Sequence, residues 1–254
     1  MAAFEQKDRY TIDDLRRIMA LLRAPDGCPW DRVQTHGSIR RNMIEEAYEA
    51  VDAIDRGSRA DMIEELGDVL MQVVFHAQIA AEDGAFAFED IVDGVCRKLV
   101  FRHPHVFGTA AAADDQQAIA GWEAQKKIEK TQKTQAYSMR SVPRMMPALI
   151  RSAKIQEKSA RSGLDWPSAD DALADVAARI DALRTGCPSE VARRALLGRL
   201  LFDAVGAVRL SGAEPEELLT RTTDDYIALF AQAEQRLGVD TPPTPDALLA
   251  DSAQ

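Results

Sequence analysis

Cysteine is scarce in this chain. The three present, Cys28, Cys96 and Cys187, are odd in number, scattered and without a C-x-x-C pair, which argues against a disulfide framework or a sequence-local zinc set and fits a reducing, cytoplasmic compartment. Histidine is nearly as rare. His36, His76, His103 and His105 make no zinc set, and none follows a glutamate at Glu-x-x-His spacing, which argues against a ferritin-like di-iron bundle. Runs of about 18 apolar residues, the length of a membrane span, are missing. The N-terminal stretch MAAFEQKDRYTIDDL lacks a basic segment followed by an apolar one, so no secretory signal is expected. Positive charge is in deficit, with 31 Lys and Arg against 41 Asp and Glu and a net charge of -10, which speaks against a nucleic-acid polymer as partner. A small anionic substrate stays open, because a few local cations and a bound metal can hold phosphates whatever the global sign.

Strand-like alternation is absent too, and what remains is helical, so the fold class is all-α. Residues 11–24 carry Ile12, Leu15, Ile18, Met19 and Leu22 on one face, behind Thr11 as N-cap. The spacing predicts further helices over 38–56, with Ser38 as N-cap and Gly57 as terminator, over 60–82, and over 88–103, stopped before Pro104. Residues 109–118 read as an exposed connection, and a short helix is expected around Trp122 to Lys133. The two prolines of 134–147 mark a linker, and the tail from residue 239 reads as loose. The Leu-Gly of LGDVLMQVVFHAQIA (66–80) lines up with that of LGRLLFDAVGAVRLS (197–211), each after another amphipathic helix. Chance likeness between Ala/Leu-rich helices is one reading of this; the other is a duplicated helical module, with a first copy over 1–133, the linker 134–147, a second copy over 148–238, and a flexible tail over 239–254.

The acidic residues of the first copy are oddly placed. On a helix, residues three or four apart share a face. Glu46 and Glu49 form such a pair on the second predicted helix, as do Glu45 and Glu49; Glu65 and Asp68, and Glu64 and Asp68, do so on the third. All lie beside apolar stripes. If the short DRGSRA connection (55–60) makes these helices antiparallel neighbours, their carboxylates meet, and such a cluster repels itself unless a hard cation such as Mg²⁺ or Mn²⁺ is bound. The alternative is a set of solvated charges flanking the core. Lys98 and Arg102 project together from the fourth helix, and Lys126, Lys127 and Lys130 cluster beside Trp122. Each group reads either as a solvated basic face or as part of a nucleotide phosphate site, with Trp122 either packing or stacking on a base. Trp30, after Pro29, reads as a core anchor, and the His103-Pro104-His105 pair as a structural feature.

The stretches GCPWDRVQTHGSIRRNMIEEAYEAVDAI, EELGDVLMQVVFHAQIA and KLVFRHPHVFG, continued by GWEAQKKIEK (121–130), resemble the MazG nucleoside triphosphate pyrophosphohydrolases. KIQEKSARSGLDW (154–166) resembles the start of that family's second module. The resemblance implies an all-α helical-bundle MazG-like module, working as a homodimer and duplicated here with a degenerate second copy. It implies hydrolysis of nucleoside triphosphates to the monophosphate and pyrophosphate. The implied magnesium ligands (manganese being the alternative ion) are Glu46, Glu49, Glu65 and Asp68, with Glu45 orienting or deprotonating water. Lys98 and Arg102 are the implied triphosphate cations, and Trp122 and Lys126 close over base and phosphates. In the second copy the ligand positions fall on Arg179, Ala182, Leu196 and Arg199, so that copy is expected to be non-catalytic. Two alternatives stand beside the enzyme: a non-catalytic nucleotide-binding or oligomerisation module, and a narrower dNTP diphosphatase of the same superfamily.

Overall fold

The computed structural model describes residues 4–110, 112–129 and 134–237; the predicted loose tail lies outside them. Among the described residues every regular element is a helix. The chain divides into two units, Met1–Glu129 and Lys130–Gln254.

The first unit holds α1 (Ile12–Arg23), the single turn α2 (Pro29–Arg32), α3 (His36–Asp55), α4 (Arg59–Glu82), α5 (Phe88–Arg102), α6 (Pro104–Phe107) and α7 (Asp115–Glu129). Thr11 caps α1 through a capping box closed by Asp14. The second predicted helix begins earlier than Ser38. Thr35 is the N-cap, its hydroxyl accepting from the Ser38 amide while the Ser38 hydroxyl accepts from the Thr35 amide. Ser38 thus serves as the third helical residue, and the box satisfies two amides that a cap at Ser38 would leave open. The stretch 109–118 is also less of a connection than its composition suggests, because α7 starts at Asp115. Met19, Ile39, Val74, Phe75 and Ile79 form the core where α1, α3 and α4 meet. Small buried residues on α3, Ala50 and Ala53, let its backbone approach α4 closely.

The second unit holds α8 (Gln135–Arg140), α9 (Ala148–Ala160), α10 (Ala169–Thr185), α11 (Glu190–Leu210) and α12 (Pro215–Leu237). The predicted linker therefore contains a helix: Thr134 caps α8, and the prolines at 143 and 147 follow it without interrupting it. Buried Ser138 on α8 accepts a hydrogen bond from Lys158 Nζ on α9. From α9 onward the order repeats that of α1, α3, α4 and α5. The turns agree as well: the α3–α4 and α10–α11 connections each pass through a glycine of positive φ, Gly57 at 65° and Gly186 at 106°. No described helix is long and apolar enough to cross a membrane.

Candidate functional site

Two helices of the first unit place the acids. Antiparallel packing of α3 on α4 around the Gly57 turn brings together Glu46, Glu49 and Glu65, each offering a carboxylate oxygen within 4.8 Å of the other two. Glu46 and Glu65 are half-buried and Glu49 is exposed. Burial first, and then the charges of Asp68, Glu49 and Glu65, push the Glu46 carboxyl above its usual range. Glu65 is raised in the same way, by burial and by Glu49, Glu64 and Asp68. Asp68 thus acts electrostatically on both while lying outside the three-oxygen set, and Glu45 is exposed and also outside it. Among the described residues this is the one such cluster.

The hairpin is held at the end away from the Gly57 turn. Toward the start of α3, His36 Nδ1 and His76 Nδ1 on α4 lie 2.7 Å apart, one donating and the other accepting, with ring planes 4° from parallel. Beyond the N-terminus of α3, Arg23 fixes the loop that feeds it. Its guanidinium pairs with Glu82 at 2.7 Å and donates to the carbonyls of Asp31 at 2.6 Å and Gln34 at 3.1 Å. That guanidinium also lies over the Phe75 ring, 5.4 Å from its centre. The interior under α2 is therefore filled by Arg23, and Trp30 is not the expected core anchor: it is 57% exposed.

A second group forms where α5 and α7 pack. Arg102 is only 8% exposed, and its guanidinium carbon lies 5.1 Å from the centre of the Trp122 ring. Lys126 Nζ lies 4.3 Å from the same centre. Lys98 stands one turn before Arg102, exposed. The Lys127 side chain and Lys130 lie outside the described set. Beside Trp122 is a cavity of about 310 Å³ whose lining includes His103 and His105. His103 donates from Nδ1 to the Leu99 carbonyl at 2.6 Å. Reading the sequence left both histidines out of the site; the proline between them, which ends α5, was the available signal.

In the second unit the equivalent helix pair, α10 and α11, carries no acid cluster. Asp203, fully buried, sits between Arg179 at 3.2 Å and Arg199 at 3.1 Å. Both arginines occupy positions where the repeat alignment expects carboxylates. A pair of guanidiniums around a single buried acid carries net positive charge, which repels a divalent cation.

Residues 34–107, which include the whole α3–α4 hairpin, match the model of the MazG nucleotide pyrophosphohydrolase domain. Over 229 residues the chain is 39% identical to the nucleoside triphosphate pyrophosphohydrolase of Escherichia coli K12, covering 88% of this chain and 87% of that protein. Over 230 residues it is 38% identical to the nucleoside triphosphate pyrophosphohydrolase/pyrophosphatase MazG of Thermotoga maritima, covering 90% and 88%. The nucleoside triphosphate pyrophosphohydrolase of Mycolicibacterium smegmatis is 37% identical over 225 residues, covering 86% and 67%.

Proposed function

Since the chain belongs to the MazG family of nucleotide pyrophosphohydrolases, we propose that its first unit hydrolyses nucleoside triphosphates to monophosphate and pyrophosphate, a housekeeping reaction on the cytoplasmic nucleotide pool. The observation that carries this reading is the Glu46–Glu49–Glu65 cluster. Carboxylate oxygens alone, drawn together until two of them resist ionisation, fit a hard divalent cation. These three residues and Asp68 would hold magnesium, which when bound would supply neutralisation of phosphate charge and a more acidic water. The chain's own groups do the rest. Arg102 and Lys126, set about Trp122, and Lys98 beyond them bind and orient the triphosphate. Glu45, next to the cluster on α3, receives or directs the proton of the attacking water. Positioning and electrostatics dominate phosphoryl transfer, so no covalent nucleophile is needed.

The active form is a homodimer. Ile44, Val51 and Ile54 on α3 and Ile63, Leu66 and Leu70 on α4 are exposed, an apolar face on the same two helices as the acids that a second copy would cover. The direct test incubates the full chain with a panel of NTPs and dNTPs, with and without Mg²⁺, and identifies the products. Monophosphate plus pyrophosphate, abolished by Glu49→Gln with the fold intact, is expected. Orthophosphate as the only product would overturn the proposal.

A further inference from the structure

The second copy has lost more than its acids. Aligned on the Trp of GCPW and GLDW, Arg23 of the first copy corresponds to Ser159; aligned on the repeated Leu-Gly, Phe75 corresponds to Gly206. The guanidinium and the ring that stack on each other in the first unit are thus both missing from the second. Trp166 takes part of the vacated space. A Cβ on Gly206 would stand 2.6 Å from its ring, so only glycine lets the indole lie there. The remainder is open: a cavity of about 380 Å³ bounded by Trp166, Phe202, Ile155 and Leu164, with Ser159 at the vacated position. That volume lies in the range of small-molecule sites.

The cavity's polar groups are built in. The Trp166 indole N–H donates to Asp175 Oδ2 at 2.9 Å, which fixes the aromatic wall. Asp165 Oδ1 accepts from Arg209 at 2.5 Å and from the Trp166 amide at 3.0 Å. One oxygen of each aspartate, Asp165 Oδ2 and Asp175 Oδ1, has no donor among the described residues. Both residues line the cavity, as does Arg199. Charges nearly cancel, because Arg209 offsets Asp165 while Arg179 and Arg199 surround Asp203. An ammonium ligand meets Arg199 and an anion meets the aspartates. A neutral flat ring carrying N–H donors suits both the walls and the acceptors.

We propose that this cavity binds the base of a purine nucleoside, with the guanine edge, which offers a ring N–H beside an amino group, directed to Asp165 and Asp175. The site is independent of metal and separate from the acidic cluster of the first unit. The test is calorimetric titration of guanosine into the full chain in EDTA. One saturable site is expected. Ser159→Arg, which restores the first copy's side chain and plugs the cavity, and Asp175→Asn should each weaken it by roughly tenfold or more, and inosine, lacking the amino group, should bind more weakly than guanosine. Glu46→Gln should leave the binding in place. Circular dichroism checks that the variants fold, and Asp175→Asn alone decides if Ser159→Arg does not. Absence of saturable heat, binding indifferent to the folded variants, or binding lost in Glu46→Gln would overturn the proposal. Because no triphosphate or metal is present, these outcomes do not depend on what the first unit hydrolyses.

Discussion

Glu46→Gln should stabilise the metal-free protein while disabling it. Two unit charges 4.8 Å apart, the limit within which the clustered oxygens lie, repel by about 1 kcal/mol at the dielectric of water and about 3.5 kcal/mol at an effective value of 20. Glu46 is half-buried and faces Glu49, Glu65 and Asp68, so its surroundings lie between those limits. Side-chain relaxation and salt remove part of the repulsion. Deleting this one charge, with an amide of the same shape, should therefore raise unfolding free energy by about 1–3 kcal/mol, which moves the melting temperature up by several degrees. The assay is a pair of thermal melts, in EDTA and in excess Mg²⁺. Wild type should gain stability on adding magnesium, by ligand linkage, and Glu46→Gln should gain much less. The order of the two proteins in EDTA should thus be narrowed or reversed by magnesium. If Glu46→Gln melts lower than wild type in EDTA, or both proteins gain equally from magnesium, the cluster is not an electrostatically strained cation site.

The same strain has a pH signature. Glu46 and Glu65 titrate above the ordinary 4.5, so the folded state binds protons more readily than the unfolded one, and metal-free stability should rise as pH falls through their raised range toward 4.5. That rise should flatten in Glu46→Gln, and magnesium affinity should fall over the same window as protons compete. Trp122→Ala removes the ring that Arg102 and Lys126 share; KM for triphosphates should rise about tenfold or more in steady-state assays, with the melt little changed. Arg23→Met removes the guanidinium from Glu82, which keeps only Gln78 as a side-chain donor, and from two loop carbonyls, and should cost about 3 kcal/mol in urea denaturation. Asp203→Asn in the second unit leaves two partly solvated arginines facing each other; a loss of about 2–3 kcal/mol is expected, with pyrophosphate release by the first unit retained.

Much of this molecule is written locally. Apolar spacing and caps placed α1, α3, α4 and α5 to within a few residues. The misplaced starts came from Thr35 and Asp115, where short polar residues cap or open a helix without an apolar signal nearby. α8 ends at Arg140, before both prolines, and prolines that follow a helix mark its end without opposing the turns ahead of it. The exposure of Trp30 had no local sign, since it depends on Arg23, which lies outside the turn that carries it, reaching under that turn.

The sequence alone determined the helical class, the repeat pattern, the paired acids of the first copy and their replacement in the second, at two positions by arginine. All of these follow from the fixed 100° step of a helix and from residue chemistry, which need no partner element. Tertiary structure alone decided which acids meet: Glu46, Glu49 and Glu65 converge, Asp68 acts from the edge, and Glu45 stays outside. It also decided that His103 and His105 border the Trp122 cavity and that the loss of an arginine and a phenylalanine opened a second cavity under Trp166. Those outcomes depend on how faces of separate helices pack, and a helix's own periodicity says which side is apolar but not what will be set against it.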